Sequence, residues 1–442
     1  MSNKRPNILF FFTDQQRADT CGCYGQRLET TPNLDAMAAE GIRFAKAFTA
    51  QPVCGPTRAI LQTGLYATEV GCYKNNIALP AEQPTIAKQL SKSGYKVGYI
   101  GKWHLASGPS KEQNFRSEPV PEKWRGGYKD FWLASDVLEF TSHGYDGYMF
   151  DSEGNKREFP EGRYRVEAQT DWVLEYLEQQ KSDEPFFLFT SYIEPHHQND
   201  NNRYEGPHGS KEKWANYDVP GDLVGTKGDW KENYPDYLGC INALDVGLGR
   251  VRKKLKECDL LDNTIIIFTS DHGSHFRTRN NEYKRSCHES SLHVPLVISG
   301  PGFDKGEVRE NLVSLIDLPK TILKVAGCEE LPSMQGNDLT KIVTDKNAEW
   351  PSHHFYQISE SGVGRGIRTD KWKYSVSNPA RDVSFCEEYE ESYLYDLEND
   401  PHERNNLIAD PDFKKTREEM KSILIESMKK ANEAIPLIKN AS

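Results

Sequence analysis

The sequence lacks an apolar segment long enough to cross a membrane. A spanning helix needs about 20 consecutive apolar residues, and the apolar runs here are only a few residues long. The amino-terminal stretch MSNKRPNILFFFTD holds a shorter apolar run than the ~7–15 residues of a signal peptide, and no small-residue cleavage site follows it. We therefore expect a cytoplasmic protein with no membrane partner.

A surplus of basic residues is also missing. The 442 residues include 55 Lys and Arg against 66 Asp and Glu, which gives a formal net charge of −11. This balance argues against a nucleic-acid partner, because such proteins present a basic surface to the phosphate backbone. An anionic small molecule remains compatible with the composition, since a few cations placed in one pocket are enough to bind it.

Cysteines paired at a recognisable spacing are absent as well. The nine cysteines are an odd number and are scattered, which argues against a disulfide scaffold. Cys21 and Cys23 stand too close together for a zinc knuckle, and we interpret both as structural. Cys54 differs from the others, because it opens the pattern Cys54-x-Pro56-x-Arg58 directly before a stretch that looks helical.

Several short apolar runs end in polar residues, which is typical of buried strands in a parallel sheet. Helical patterns lie between these runs, and one of them uses Thr31 as its cap, Pro32 as its first residue and Gly41 as its end. The alternation predicts an α/β fold with a large, mixed, mostly parallel sheet sandwiched by helices. The predicted strands are 7–13, 96–100, 185–192, 264–270 and 294–299, and the other helices are 163–180 and 236–258.

After about Gly336 the alternation of apolar strands and helices gives way to short strand-like pieces and one charged helix. We predict an α/β catalytic domain over 1–340 and a smaller C-terminal α+β subdomain over 341–442 that contains an antiparallel sheet. Two segments rich in Gly, Pro, Asn and aromatic residues are expected to be long ordered loops over the functional site. These loops are 106–162 and 198–235, and the strand-like pieces and helix of the tail are 366–374, 392–397 and 413–432.

Acidic residues follow two of the predicted strands. Asp14 and Gln15 follow the first, and Asp271 and His272 follow a later one. One strand-end aspartate alone is typical of a helix cap or a turn, but two such pairs at one sheet edge indicate a metal site. Carboxylates, an amide oxygen and one imidazole suit Ca²⁺ or Mg²⁺, with Mn²⁺ as a further possibility.

Basic residues follow the remaining strands. Lys102 and His104 come after one strand, His196 after another, and Lys284 lies in the charged stretch NEYKRSCHESS. Taken singly, each is typical of a solvated strand end or surface loop. Together they could line a single pocket that binds a tetrahedral anion and neutralises charge on a departing oxygen.

These motifs resemble those of the type I sulfatases, a family of the alkaline-phosphatase-like superfamily. The similarity covers nearly the whole chain. It consists of Cys54-Gly-Pro56-Thr-Arg58 with Leu61-Gln-Thr63-Gly64, a second signature from Gly94-Tyr95 to Gly101-Lys102-Trp103-His104-Leu105, SDHGSHF at 270–276, Lys284 five residues before Glu289, and LYDLENDPHERNNL at 394–407.

The resemblance implies that Cys54 is oxidised to Cα-formylglycine by a formylglycine-forming maturation enzyme, which would be a partner of this chain. One hydroxyl of the hydrated aldehyde would attack sulfur, and the second would lose its proton and expel sulfate. The implied reaction is hydrolysis of a sulfate ester of a carbohydrate or another small molecule. Residue by residue, the implied metal ligands are Asp14, Gln15, Cys54, Asp271 and His272.

The remaining implied roles concern the sulfate group. Arg58 would hold the formylglycine, and Lys102 and Lys284 would bind sulfate oxygens, with Lys284 near the leaving oxygen. His104 would help to deprotonate the hydrate, and His196 would contact the sulfate or protonate the leaving oxygen.

Two positions depart from the family pattern. Gln15 replaces a second aspartate, and His272 replaces a common asparagine, so the site has less negative charge. We expect Ca²⁺, with Mn²⁺ or Mg²⁺ as alternatives. Both departures resemble the phosphonate monoester hydrolase branch, so a phosphonate monoester or phosphodiester hydrolase is the alternative function.

The predicted loops also carry residues that could shape a polar pocket of about the size of one sugar. His143 and His197 are the predicted substrate-binding residues, and Tyr145, Asn199 and Arg203 are further candidates. Each of these side chains could equally be structural. Two other hypotheses fit less well, because a non-catalytic glycan-binding protein should have a broken nucleophile motif, and a cysteine hydrolase has no use for the metal ligands.

Overall fold

The computed structural model describes residues 4–181, 183–331 and 333–441. The chain forms strands β1 to β15 and helices α1 to α11, joined by loops and short 3₁₀ turns. The strands are Asn7–Thr13, Ile42–Phe48, Lys96–Lys102, Phe131–Ser135, Tyr148–Asp151, Lys156–Glu158, Phe186–Ser191, Thr264–Ser270, Leu296–Ser299, Glu307–Ser314, His353–Ile358, Val363–Thr369, Trp372–Asn378, Glu388–Asp396 and Leu437–Lys439. The helices are Pro32–Glu40, Cys54–Thr63, Ala67–Val70, Ile86–Lys92, Arg165–Glu178, Ser210–Lys213, Trp230–Glu257, Glu289–Leu292, Asp317–Val325, Thr340–Thr344 and Lys414–Lys430.

The larger sheet has ten strands in the order β10-β2-β9-β8-β1-β7-β3-β4-β5-β6. Its central strands β8, β1, β7, β3 and β4 are all parallel, whereas β9, β5 and β6 run antiparallel to their neighbours. The prediction of a mixed, mostly parallel sheet is therefore confirmed. Non-consecutive neighbours such as β1 and β7 are joined by long crossovers that contain the helices.

Strand β1 explains why this sheet is covered on both faces. Ile8, Phe10 and Phe12 pack into one hydrophobic core, and Leu9 and Phe11 pack into the core on the opposite face. Successive side chains of a strand point to opposite faces, so a continuous apolar run needs helices on both sides. Helices α2, α4 and α9 contact one another on one face, and α1 and α5 both contact α7 on the other.

Helix α1 confirms the predicted proline at its first position but not the predicted cap. The Thr31 hydroxyl makes no capping bond to the helix backbone. Instead, the Asp245 carboxylate of α7 accepts the backbone N–H groups of Asn33 and Leu34 at 3.0 and 2.8 Å. The first N–H groups of a helix have no partner within it, and here the carboxylate of the neighbouring helix α7 accepts them in place of a local capping side chain.

The two predicted loop segments contain more regular structure than we expected. Segment 106–162 includes β4, β5 and β6, which extend the large sheet at one edge. Segment 198–235 includes α6 and the first residues of α7, which begins at Trp230 and passes through Pro235. Buried aromatic residues of this part, including Tyr234 and Tyr237, form their own core cluster. This packing outweighs the loss of one backbone hydrogen bond at the proline.

The smaller sheet confirms the predicted C-terminal antiparallel sheet. Strands β11 to β14 pair in sequence as an antiparallel meander, and β15 adds to β14 in parallel. The predicted strand 366–374 is in fact the end of β12, a turn and the start of β13. Helix α11 packs on this sheet through Met420, Leu424 and Met428. The division of the chain near residue 340 stays a prediction.

Within the described residues, none of the helices has the length and apolar character that a bilayer crossing requires.

Candidate active site

The candidate active site lies at the carboxyl ends of four adjacent strands of the large sheet. The strands β3, β7, β1 and β8 are neighbours, and in the registers Thr13 pairs with Ser270 and Phe12 with Ser191. Asp14, His196 and Asp271 follow three of these strands, and Lys102 is the last residue of the fourth. Because parallel strands end at the same edge, residues distant in the chain meet here.

Helix α2 brings Cys54 to this edge. Cys54 is its first residue, and Gly64 ends the helix in a left-handed conformation with φ of 70°. All ten residues of the helix are buried. The opening pattern of Cys54, Pro56 and Arg58 therefore occupies the first turn of a buried helix whose amino terminus points at the strand ends.

Asp14 is the centre of the charge network. Its Oδ2 accepts hydrogen bonds from Lys102 Nζ at 2.7 Å and Arg58 Nη2 at 3.0 Å, and all three side chains are buried. Burial alone would raise the pKa of Asp14, but the surrounding cations, led by Lys102, hold it well below the usual value. Asp14 is therefore ionised.

Arg58 holds several parts of the site together. Its Nη1 donates to the Lys102 carbonyl at 2.7 Å and to Ser191 Oγ at 2.6 Å, while Nη2 contacts Asp14. The guanidinium also lies over the ring of Phe12, 5.1 Å from its centroid. A planar guanidinium suits such multiple contacts, because its donors point in fixed directions.

Four buried side chains form a group that could hold a metal ion. One ligand atom from each of Asp14, Cys54, Asp271 and His272 lies within 4.8 Å of the others. Asp271 Oδ1 accepts the backbone N–H of His272 at 2.8 Å, but its Oδ2 has no hydrogen-bond partner among the described residues. A buried carboxylate oxygen without a partner is costly, and a cation at this point would supply one. The donor set therefore fits a divalent cation.

The protonation pattern of this group supports the same fit. The imidazole of His272 has its Nδ1 2.9 Å from the Gly273 carbonyl, which favours a proton on Nδ1 and leaves Nε2 as a ligand atom. Burial lowers the pKa of His272 to about 4, so this imidazole is neutral. Burial and the Asp14 carboxylate raise the pKa of Asp271 to about 7. Two buried acids this close need a positive partner to ionise together.

Gln15 lies beside the four-residue group and lines the cavity. Its backbone is left-handed, with φ of 72°. The side-chain nitrogen donates to the Tyr204 hydroxyl at 2.8 Å and to Ser274 Oγ at 3.3 Å. These two contacts orient the amide, and its carbonyl oxygen is the atom that a cation would use.

Lys284 approaches Cys54 from the opposite wall. Its Nζ lies 2.7 Å from Cys54 Sγ and 3.2 Å from His196 Nε2. Burial and the nearby Asp14 raise the pKa of the thiol, but Lys102 and Lys284 outweigh both and bring it to about 6, below its ordinary value. The site is thus built to stabilise negative charge at position 54.

The two predicted catalytic histidines also lie at this cavity. Burial, with Lys102 next, lowers the pKa of His104 to about 3, and burial, with Lys284 next, lowers that of His196 to about 3. His196 Nδ1 lies 3.4 Å from Glu139 Oε2. Both imidazoles are therefore neutral, and the lowered pKa makes each a weaker base than a free imidazole.

A cavity of about 230 Å³ opens above Cys54. The structure brings Gln15, Cys54, Lys102, His104, His196 and Lys284 together on its walls. Asn199, a further candidate from the sequence, also lines this cavity, whereas Tyr145 and Arg203 line the separate depression near His143. Sequence reasoning missed the other polar residues here, although Arg285 could have been suspected beside Lys284. The lining residues that it missed are Asn75, Glu139, Arg277, Asn281, Glu282, Tyr283 and Arg285.

The two predicted substrate-binding histidines lie in different places. His197 is buried and stacks on the cavity residue Tyr283, with ring centroids 4.3 Å apart. His143 contacts Asp146 and Asp200 at 3.2 and 2.8 Å and lines a separate surface depression. The structure does not bring His143 to the cavity above Cys54, and both roles stay predictions.

Comparison with known proteins agrees with this architecture. The family model described as Sulfatase matches residues 6–328, and the model described as N-sulphoglucosamine sulphohydrolase, C-terminal, matches residues 281–430. The uncharacterized sulfatase YidJ of Escherichia coli is 29% identical over 97% of this chain and 88% of its own length. The N-acetylglucosamine-6-O-sulfatase of Bacteroides thetaiotaomicron is 27% identical over 98% of this chain and 88% of its own.

Solved structures lead to the same family. A Bacteroides fragilis structure described as a yidJ sulfatase superposes with a TM-score of 0.85 at 27% identity and covers 98% of each chain. The phosphonate monoester hydrolase of Agrobacterium radiobacter shares the fold, with a TM-score of 0.71 at 22% identity over 97% of this chain and 96% of its own. The chain belongs to the sulfatase family of the alkaline-phosphatase-like superfamily and is a sulfuric ester hydrolase.

Proposed function

We propose that this chain hydrolyses the sulfate monoester of a sulfated sugar, using a Cα-formylglycine formed from Cys54 and a divalent cation. The observation that carries the proposal is the buried group around Cys54. The possible metal ligands Asp14, Asp271 and His272 lie next to Cys54 Sγ, and the Lys284 ammonium lies 2.7 Å from the same atom. Sγ marks the position that the oxygens of the modified residue would take.

The cation would be held by Asp14, Asp271, His272 and residue 54, with the Gln15 amide oxygen completing the set. When bound, it would lower the pKa of an oxygen at position 54 and neutralise charge on a sulfate oxygen. Three of these residues offer oxygen ligands, which is why we propose Ca²⁺, with Mn²⁺ or Mg²⁺ as alternatives.

The protein side chains would divide the remaining work. Arg58 holds Asp14 and the end of β3 in place, and Lys102 adds its charge beside Asp14, where sulfate oxygens would bind. Lys284 would neutralise charge on the leaving oxygen. His104 would help to deprotonate the hydrated residue 54, and His196 would contact the sulfate or relay a proton to the leaving oxygen, as the sulfatase-like motifs imply.

The proposed substrate is a sulfated sugar that inserts one ring into the cavity. A volume of about 230 Å³ lies below the ~300–1,000 Å³ of pockets for drug-sized ligands. The walls are rich in amide, carboxylate and guanidinium groups, which suit hydroxyl recognition. The described activity of the N-acetylglucosamine-6-O-sulfatase relative points to the same substrate class. His197, through its stack on Tyr283, would shape this wall, and His143 would act only on an extended substrate.

The first experiment compares an aryl sulfate with an aryl phosphonate monoester. The protein would be co-produced with a formylglycine-forming enzyme, and Cys54→Ala would serve as the blank. Preference for the sulfate supports the proposal, and a panel of sulfated sugars would then identify the natural ester. Preference for the phosphonate contradicts it.

That second outcome would favour the alternative, a phosphonate monoester or phosphodiester hydrolase. The specific observation in its favour is the weaker negative charge of the metal site, in which Gln15 and His272 occupy positions beside Asp14 and Asp271. Sulfate monoesters, phosphonate monoesters and phosphodiesters each carry one negative charge at neutral pH, so substrate charge alone does not separate the two functions and the comparison of the two aryl esters decides between them.

A further inference from the structure

Glu360 lies behind the wall of the cavity above Cys54, where its side chain contacts the two lining residues Asn75 and Arg285. It follows β11, and its side chain is only 16% exposed. One carboxylate oxygen accepts a hydrogen bond from Arg285 Nη2 at 2.7 Å, and the other accepts the backbone N–H of Asn75 at 2.9 Å. This single carboxylate thus joins two loops of the larger domain that otherwise approach from opposite sides.

Each of these two contacts leads to a reacting group. Asn75 Oδ1 accepts the backbone N–H of Gly55 at 2.9 Å, directly after Cys54 in the first turn of α2. A first-turn N–H has no partner within its helix, so Asn75 acts as an external cap. On the other side, Arg285 is the residue after Lys284.

The backbone at Arg285 shows that this loop is held by its contacts. Arg285 has a left-handed conformation with φ of 64°, which a residue with a side chain keeps only where its surroundings impose it. The contacts that do so are its N–H bond to the Pro52 carbonyl at 3.3 Å and its guanidinium bonds to Glu282 and Glu360.

We propose that Glu360 is a positioning residue that sets the separation between Lys284 and residue 54. The inference rests on the proposed function, because it assigns Glu360 to the alignment of the nucleophile and the ammonium of that same site. A carboxylate can accept from both loops at once, and its loss releases both. A displacement of ~1 Å between reacting groups is enough to lower a rate about 100-fold.

Kinetics of three variants test this proposal with an aryl sulfate. Glu360→Ala is expected to lower kcat about 100-fold with little change in KM. Glu360→Gln keeps an acceptor for Asn75 or Arg285 and is expected to lose no more than about tenfold in kcat. The matched control is Asp370→Asn, which breaks the 2.7 Å ion pair with Lys46 between the same two sheets, away from the cavity. It should keep wild-type kcat.

Four kinetic results would overturn the inference. They are a wild-type kcat for Glu360→Ala, a Glu360→Gln variant as slow as Glu360→Ala, a rise in KM with kcat unchanged, and an equal loss of kcat in Asp370→Asn. The third would mean that Glu360 binds substrate, and the last would mean that any contact between the two sheets has the same effect.

A crystal structure of Glu360→Ala with Cys54 unconverted supplies a readout that needs no turnover. The distance from Lys284 Nζ to Cys54 Sγ, 2.7 Å here, is expected to be longer by about 1 Å in the variant than in a wild-type crystal with the same unconverted Cys54. An unchanged distance would overturn the positioning role. If the wild type hydrolysed no sulfate ester, the proposed function would fail, and this distance would still decide for or against the inference.

Discussion

Replacement of Lys284 by alanine should separate its role from that of Lys102. The Lys284 side chain is 5% exposed, and its Nζ lies 2.7 Å from Cys54 Sγ. Lys102 Nζ instead lies 2.7 Å from Asp14 Oδ2, on the metal side of the site. We expect Lys284→Ala to remove the ammonium group nearest the leaving oxygen. The charge of Asp14 stays balanced by Lys102 and Arg58.

The size of the effect follows from this geometry. Two unit charges 2.7 Å apart attract each other by about 6 kcal/mol at an effective dielectric constant of 20, which is the gross interaction. Loss of one donor to a developing oxyanion typically costs ~2.7–4 kcal/mol, or about 10²–10³ in kcat. We expect the fall in kcat of Lys284→Ala to lie in this lower range, because Lys102 and the cation continue to neutralise the sulfate.

The assay is a series of aryl sulfates whose leaving phenols differ in pKa. The loss in kcat/KM for Lys284→Ala should grow as the phenol becomes a poorer leaving group, whereas the loss for Lys102→Ala should be similar across the series. Lys253→Ala, on an exposed surface of α7, is the control for loss of one lysine. A loss of less than threefold, or one that is uniform across the phenols, would refute the assignment of Lys284 to the leaving oxygen.

Three further predictions address the nucleophile, the cation and the support of the site. Cys54→Ala should abolish turnover and leave the fold intact by circular dichroism, and activity near wild type would contradict the covalent mechanism. Exhaustive chelation should abolish activity and lower the thermal midpoint, since a ligand at 100 times its Kd stabilises the native state by about 2.7 kcal/mol. Readdition of Ca²⁺, Mn²⁺ or Mg²⁺ to separate samples identifies the metal. Full activity after chelation would contradict the proposal of a metal-dependent enzyme. Arg165→Ala breaks the buried 2.7 Å pair with Glu194 and should destabilise the protein by about 3–5 kcal/mol, which calorimetry would detect as a lower midpoint.

Local patterns predicted the central strands well. The strands β1, β7 and β8 have helices packed on both faces, so nearly all of their residues are apolar and the runs are easily recognised in the sequence. Strands β4, β5 and β6, at one side of the sheet, were missed. β5 and β6 have only four and three residues and include partly exposed positions. Each of the three strands pairs with the one before it in the sheet, β4 with β3, β5 with β4 and β6 with β5, so pairing rather than local composition defines them.

Helix ends were decided at longer range. Helix α1 is capped by Asp245, more than 200 residues away, and α7 begins earlier than its periodicity predicts because the aromatic cluster around Tyr234 and Tyr237 packs its first turns. Neither contact has a local signature. Capping and packing partners that come from another part of the chain cannot be read from neighbouring residues.

The candidate catalytic side chains divide in the same way. The sequence alone predicted that Asp14, Lys102 and Asp271 lie at strand ends and meet at one edge of the sheet, as the structure shows, and the sulfatase-like motifs supplied the roles proposed for them and for Cys54. Only the tertiary structure decided that His143 lies away from the cavity and that Glu360 contacts two of its wall residues, Asn75 and Arg285. The physical reason is that a buried strand and the polar residue at its end are visible in the local apolar pattern, whereas contacts between loops depend on how the two sheets pack against each other.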